Sequence, residues 1–464
     1  MPTQKNLWML ALVLGAACGD DATSQGETDG STRGETENAD ETGDSSDTDS
    51  VAEATFWDDV APLYFDSCVS CHRDGGIAPF ALDNYADAST WATASIEAIE
   101  GRTMPPWLVT EDGSCGEFLH SRGLSSQSIA MVRDWVDSGT PEGTPRDDLA
   151  LPAPEVLEGA TTVSTPDFLP EIVGGPLAEF DEYRCFVVDP GLDQDEFLTA
   201  YNVLPGNESI VHHVLAFTVD PNDEAVDPAQ TNAEAIAQSD AESPDREGWP
   251  CFEGAGERVE EDSLPIAWAP GQGIVHYPQG TGLAVGADDV IVLQVHYNLA
   301  DPATIGSSDQ TTVELLFEEE VDRPGFMDLP DPFLETLGDD NPAFLPPGEP
   351  DASYEWEIPL GAYAADSGLG TLEIWGVLPH MHERGTTIQM VVDDGTQETC
   401  GVDVKNWDFD WQHLYFYEDP LVIGPQDSIR VRCGYDTSAD TDPVYPGWGT
   451  QNEMCLMGLF IVPG

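Results

Sequence analysis

The chain has 464 residues, with 15 Lys plus Arg against 88 Asp plus Glu and a formal net charge of −73 at pH 7. That balance excludes a nucleic-acid partner, because no basic cluster exists to neutralise phosphates, and it leaves only an apolar or covalent route to a membrane. With 40% hydrophobic and 9% aromatic residues the chain has material for ordinary cores, in roughly two to four domains by length.

Residues 7–17 form an apolar run behind a lone Lys5, too short for a bilayer span of about 20 residues, and read as a signal peptide. The run ends at Leu14-Gly15-Ala16-Ala17-Cys18, which resembles a bacterial lipobox whose cysteine is lipidated. Gly15 stands where such boxes carry a branched aliphatic residue, so ordinary cleavage with a free Cys18 is the alternative. Both predict export, to the periplasm or cell surface of a Gram-negative-type bacterium, with the membrane touched only through an N-terminal lipid anchor. Residues 1–18 are then leader and lipobox. Residues 19–55, rich in Gly, Ser, Thr, Asp and Glu, read as a disordered acidic linker extended by its own charge.

Phe56 to Phe65 is an amphipathic stretch that leads into Cys68-Val69-Ser70-Cys71-His72. Two thiols one helical turn apart meet the two vinyl groups of a porphyrin while the adjacent imidazole reaches the iron. The C-x-x-C-H spacing therefore points to covalent haem held by Cys68, Cys71 and His72. A redox dithiol or half of a zinc ribbon shares part of the pattern, but no second Cys pair lies nearby to complete a ribbon. Met104, in the Pro-stiffened Arg102-Thr103-Met104-Pro105-Pro106-Trp107, is the expected sixth ligand. His120 and Met131 are weaker candidates, since Met131 falls in a predicted helix over 125–138 whose face of Ile129, Val132 and Trp135 calls for packing. Together, residues 56–147 resemble a small all-α class I cytochrome c domain with one haem c.

The later histidines cluster. Ser209 to Phe217 predicts a strand with His212 and His213 adjacent, and Val290 to Tyr297 a second strand ending near His296. Neighbours on a regular strand face opposite sides, so His212 and His213 share a metal only if the strand is strongly twisted or bulged. In Gly376-Val377-Leu378-Pro379-His380-Met381-His382 the period of two puts His380 and His382 on one face, and Met454 offers a thioether. Three His alone would suit zinc, whereas a His-x-His pair completed by Met suits copper cycling through Cu(I). A lone buried His is more often structural. His276 and His413 are read that way, His413 as the end of the aromatic segment Trp407 to Gln412.

The stretch from about Pro170 to Pro463 resembles the type 2 copper monooxygenases that include peptidylglycine and dopamine hydroxylating enzymes. The resemblance rests on Tyr183-Arg184-Cys185, His212-His213, Ile266-Ala267-Trp268-Ala269 followed by Pro278, Gly280, Gly282 and Gly286, Leu293-Gln294-Val295-His296-Tyr297, the His380/His382 pair and Glu453-Met454-Cys455, all in the family's order. It implies two antiparallel β jelly-roll sandwich domains, over 148–305 and 306–464, and two copper ions with substrate between them. His212, His213 and His296 would form the electron-transfer site and His380, His382 and Met454 the site that activates dioxygen, with Gln294 as a further catalytic residue. It also implies disulfides Cys185–Cys251 and Cys433–Cys455. Cys115 and Cys400 are left over; a bridge between them would clamp the helical module onto the second copper domain, though connectivity is not readable from sequence. Peptide-amidating members bind the substrate carboxylate with an Arg, an Asn and a Tyr at positions that here are Leu378, Leu456 and Gly458, so a C-terminal peptide glycine is not the expected substrate. The acidic insertion Asp220 to Glu247 and the Pro-rich stretch Phe326 to Pro350 are expected to be surface loops.

These readings converge on an exported copper monooxygenase that hydroxylates a C–H bond of a small organic substrate with O2. Electrons would come through the fused haem domain, from ascorbate or a respiratory donor. The rival is a haem- and copper-bearing electron carrier or copper-handling lipoprotein that oxidises no organic substrate.

Overall fold

A computed structural model describes residues 54–74, 76, 78–151, 156–172, 180–251, 254–270, 272–299, 302–339, 341–366, 368–409, 411–447 and 451–464. The leader, Cys18 and nearly all of the acidic linker lie outside them. No helix among the described residues is long and apolar enough to cross a membrane.

The first described segment is helical. A π-turn at Phe56–Val60 continues as α1 (Ala61–Ser67), followed by α2 (Tyr85–Glu100) and α3 (Ser126–Asp137). Phe56, Tyr64 and Trp135 are fully buried and pack ring to ring, 5.8–6.5 Å between centroids, around Val60 and Val132. α3 begins where the sequence places it, because the Ser125 side chain accepts the Ser128 N–H and caps the first turn. α2 has no counterpart in the sequence reading. Its buried stripe of Ala88, Ala92, Ile96 and Ile99 has helical spacing, but the first half of it is alanine, too small to make a clear apolar period.

The rest is β-rich. The N-terminal half contains β1 (Thr161–Ser164), β2 (Asp181–Val188), β3 (Glu196–Leu204), β4 (Val211–Val219), α4 (Asn232–Ala241), β5 (Trp249–Pro250), β6 (Ser263–Trp268), β7 (Val275–His276), β8 (Thr281–Val285), β9 (Val290–Asn298) and β10 (Thr312–Glu318). One sheet has the order β5-β2-β9-β4-β6 and packs on the run β1-β10-β3-β8, with β7 beside β3. The C-terminal half contains β11 (Arg323–Asp328), α5 (Pro332–Glu335), β12 (Ala352–Ile358), α6 (Leu360–Asp366), β13 (Leu372–His380), β14 (Gly385–Asp393), β15 (Glu398–Val404), β16 (Tyr415–Ile423), β17 (Ser428–Tyr435) and β18 (Leu456–Pro463). Its sheet β12-β17-β14-β15 packs on β11-β18-β13-β16. The chain therefore forms two β-sandwiches, antiparallel except where β8 runs parallel to β11 and joins them in one nine-stranded sheet.

Three boundaries differ from the sequence reading. The N-terminal sandwich extends past residue 305 to Glu318, because β10 pairs with both β1 and β3. The Asp220–Glu247 insertion is not simply a loop. It holds α4, whose capping box of Thr231 and Glu234 satisfies the first-turn donors. Nor is Phe326–Pro350 all surface: Phe326 to Asp328 belong to β11, and Phe333 in α5 is fully buried against Tyr354.

The helical module is strapped to the C-terminal sandwich by the chain between α2 and α3. Val109 bridges Val404, Phe118 bridges Tyr417, and Leu108, Val109 and Phe118 are buried in the C-terminal core. A disulfide joins Cys115 to Cys400 on β15, the clamp that the leftover cysteines suggested.

Candidate metal centres

β4 and β9 are paired, and their register slips between Val211 and His213: Val211 faces Tyr297 while His213 faces His296. His212 is thus the extra residue of a β-bulge. This solves the problem posed by two adjacent histidines, because a bulge turns consecutive side chains toward one side. The candidate ligand atoms of His212, His213 and His296 all lie within 4.8 Å of one another. The Nδ1 atoms of His212 and His213 are 3.4 Å apart, and those of His296 and His213 are 3.2 Å apart. A single ion with bonds of about 2.0 Å would span such gaps.

The surroundings select the tautomer. Asp181 Oδ1 lies 3.1 Å from His296 Nε2, and a carboxylate at that distance favours the Nε2–H tautomer, which leaves Nδ1 to face the other rings. Asp181 also accepts from Asn298 Nδ2 at 3.1 Å. Tyr183 stacks on His296 with centroids 4.1 Å apart and planes 10° apart, fixing the ring plane. Burial, and then the proximity of His296, His212 and His380, holds the His213 pKa well below its ordinary value. It is a neutral donor at physiological pH. Gln294, two residues before His296, donates to the Gly254 carbonyl at 2.7 Å. It ties down the segment next to Cys251, which is bridged to Cys185.

His380 ends β13 and His382 follows it, with ring centroids 5.1 Å apart. His380 Nδ1–H donates to Gln412 Oε1, and His382 Nδ1–H donates to the Asn452 carbonyl at 3.2 Å. Both rings therefore keep Nε2 as the free lone pair, the opposite nitrogen to the first set. Burial lowers the His380 pKa despite the Gln412 contact. Met454 is buried just before β18, which pairs with β13 so that Leu456 faces His380. Its loop is held from several sides. The Glu453 carboxylate accepts the His382 and Arg384 N–H groups at 2.9 and 2.8 Å. Tyr435 Oη–H donates to the Met454 carbonyl at 2.8 Å, Trp356 Nε1–H to the Cys455 carbonyl at 2.7 Å, and Cys455 is bridged to Cys433. Two neighbouring imidazoles with a buried thioether in the adjoining loop are the residue types of a soft set, which suits a metal that cycles through a monovalent state.

The segment read as packed aromatics connects the two sets. The Phe409 ring lies 6.4 Å from the His212 ring and 6.0 Å from the His382 ring, centroid to centroid. Trp407 Nε1–H donates to the His382 carbonyl at 3.2 Å, and Gln412 orients His380. Sequence reasoning missed Asp181, Phe409, Gln412 and Asn452. None belongs to a motif, and each reaches its ligand through strand pairing or loop folding that a linear pattern does not express.

In the helical module, Cys68 and Cys71 are the only free cysteines among the described residues. His72 Nδ1–H donates to the Phe80 carbonyl at 3.1 Å, leaving Nε2 as a lone pair. Burial and the neighbouring Cys71 push the Cys68 thiol up to about 12, and burial raises Cys71 too. Two thiols three residues apart beside an imidazole that keeps Nε2 free are the groups that thioether attachment of haem would use. Met104 lines a cavity of about 240 Å³ with Ile99, Trp107, Leu124, Lys405 and Asn406, between the helices and the C-terminal sandwich. Met131 packs in the helical core, His120 is exposed at a positive φ of 57°, and His276 is exposed on β7. His413 is buried.

Leu378 and Gly458 face each other across β13 and β18. A β-carbon at 458 would stand 2.9 Å from both Leu329 and Leu378. That wall is aliphatic and has no room for a large side chain at 458.

Comparison with known proteins accords with this geometry. Residues 173–303 match the N-terminal domain, and residues 362–461 the C-terminal domain, of the copper type II ascorbate-dependent monooxygenases. DBH-like monooxygenase protein 1 of Gallus gallus is 28% identical over 211 residues, 44% of this chain and 33% of the relative. Tyramine beta-hydroxylase of Caenorhabditis briggsae is 24% identical over 269 residues, 56% of this chain and 41% of the relative. Dopamine beta-hydroxylase of Canis lupus familiaris is 24% identical over 270 residues, 56% and 39% respectively. The chain thus spans about two fifths or less of the length of these relatives. The helical module lies outside both matched segments.

Proposed function

From a chain that carries both domains of the copper type II ascorbate-dependent monooxygenases, we infer an exported enzyme that hydroxylates a C–H bond of a small organic substrate with O2. One oxygen atom enters the substrate and the other leaves as water, which consumes two electrons and two protons. The observation that carries the reading is the convergence of His212, His213 and His296 within 4.8 Å, with His212 one phenyl ring away from His382. A carrier needs one such site; two facing sites suit an oxygenase.

Copper at the two sets would supply one-electron exchange and dioxygen activation, and haem c at Cys68, Cys71 and His72 would supply an electron store. The chain's own groups prepare the ground. Asp181 holds His296 with Nδ1 forward, while Gln412 and the Asn452 carbonyl hold His380 and His382 with Nε2 forward. Phe409 stands between the sets, its ring 6.4 Å from that of His212 and 6.0 Å from that of His382. Leu378 and the closed position at Gly458 offer nothing to offset desolvation of a carboxylate, which favours an apolar or amine-bearing substrate. The amines named in the relatives, tyramine and dopamine, are reasonable first compounds. Ascorbate or a respiratory donor is the proposed source of electrons. Three disulfides among the described residues support an oxidising, extracytoplasmic compartment, and a lipid at Cys18 would supply the anchor.

The test is to incubate copper-loaded protein with ¹⁸O2, a reductant and a panel of phenethylamines, other amines and fatty acids. The expected result is one labelled oxygen in a hydroxylated product. Oxidation of the reduced protein with no label in any organic product would overturn the enzyme reading in favour of a carrier.

A further inference from the structure

A guanidinium enclosed in protein is normally paired with an anion, because desolvation without compensation is costly. Arg122, in the chain that returns from the C-terminal sandwich to α3, is half-buried and departs from that rule at one nitrogen. Its Nη1 is sealed from water and has no hydrogen-bond partner, and no described carboxylate forms an ion pair with it, in a chain holding 88 acids. Three further buried polar atoms are unpartnered nearby: Trp107 Nε1–H, Tyr415 Oη–H and His413 Nε2, the last a donor in its Nε2–H tautomer. His413 is only 4% exposed.

Tyr415 gathers these groups. Its ring lies 5.0 Å from the Trp107 ring and 5.9 Å from the His413 ring, and it feels the charge of Arg122. Arg122 also lies within electrostatic reach of Cys71, Cys68 and His413. Burial, with Arg122 adding to it, holds His413 down to about 3, so it presents a neutral ring to this space. Four enclosed polar atoms without a partner, one of them on a guanidinium, thus stand at the junction of the helical module and the C-terminal sandwich, within electrostatic reach of the two free cysteines. Unsatisfied buried donors in such number call for an acceptor that the protein itself does not provide.

We propose that Trp107, Arg122 and His413 form a cradle for the propionate carboxylates of a haem attached at Cys68 and Cys71. The inference rests on the haem reading given above. It adds that the copper-binding half contributes a residue to the haem site, so that the group is seated between two parts of the chain. The seat is also continuous with the second ligand set, since His413 is the peptide neighbour of Gln412, which orients His380.

The test uses full-length protein matured with haem. A pyridine haemochrome assay first establishes attachment, and spectroelectrochemistry then gives the midpoint potential of each variant. Arg122→Gln removes a positive charge beside the propionates and should favour ferric haem about tenfold, a fall of about 59 mV for a one-electron couple. Arg122→Lys should recover most of that loss, and Trp107→Phe and His413→Phe should give smaller shifts of the same sign. A measurement that needs no variant is the infrared redox-difference spectrum of wild-type protein carrying ¹³C-labelled propionates. It should show a carboxylate band at the position of an ion pair. Haem attached, with an unchanged potential in Arg122→Gln and a hydrated carboxylate band in the wild type, would overturn the cradle while leaving the haem reading intact. Absence of attached haem in the wild type would overturn both.

Discussion

Asp181 determines which nitrogen of His296 faces the other two rings. Its Oδ1 sits 3.1 Å from Nε2, and a carboxylate there raises the basicity of the opposite nitrogen as well as fixing the tautomer. Replacing it by Asn keeps the shape but removes the charge, and gives the ring a partner able to turn its amide toward it. Asp181→Asn is therefore expected to weaken one of the two coppers by about 10- to 100-fold, measured by competition with a chelator of known affinity, while the copper at His380, His382 and Met454 stays bound. Equal loss of both coppers, or none, would show that Asp181 does not act through His296. The ligands themselves were legible as residues, because adjacent histidines on an apolar strand and a His-x-His pair at a strand end are rare patterns. Asp181 was not legible, since its role depends on pairing β2 against β9, which places Asp181 opposite Asn298.

Among the elements, the arm from Trp107 to Leu119 does most to bind the parts together. It leaves the helical module, buries Leu108, Val109 and Phe118 in the C-terminal core and is locked by Cys115–Cys400 across 285 residues of sequence. A crosslink closing so long a loop restrains the unfolded chain strongly, and losing one typically costs about 2 to 5 kcal/mol. The double substitution Cys115→Ser with Cys400→Ser should lower the first calorimetric transition and expose the arm to limited proteolysis, with copper content still two per chain. Unchanged melting and proteolysis would mean that the β-bridges at Val109 and Phe118 hold the arm alone. The elements read best from sequence are those with a strong period. The predicted helix over 125–138 matches α3 to within a residue at each end, and apolar runs mark the strands bearing His213 and His296. α2 escaped because alanines carry half of its buried stripe, and α4 because its 220–247 setting is so acidic that polarity masked a capped helix. The bulge at His212 was derivable only as a requirement, that two neighbours must share a face, and the register slip meets it.

Over the whole molecule the two sandwiches share a nine-stranded sheet through the parallel β8–β11 contact, and both ligand sets face the segment that contains Phe409. The charge is as uneven as the architecture is continuous. Most of the bases already sit in ion pairs, such as Arg246–Glu182, Arg384–Asp440 and the cluster of Arg430 with Glu357, Asp393 and Glu398. With 15 basic residues against 88 acidic ones, the bulk of the carboxylates can have no cationic partner, and their mutual repulsion acts over the distance that the solvent leaves unscreened. That distance falls from about 30 Å at 0.01 M salt to about 10 Å at 0.1 M. Two effects then oppose each other: salt weakens the ion pairs, each worth about 0–1 kcal/mol when exposed, and it relieves a repulsion summed over a far larger number of like charges. Repulsion should win. The melting temperature of metal-free protein at pH 7 is expected to rise steadily from 0.01 to 0.3 M sodium chloride, steeply at first and then flattening as the screening length drops below the spacing of neighbouring acids. A melting temperature that falls over this range would show that the ion pairs, few as they are, dominate the electrostatics of the fold.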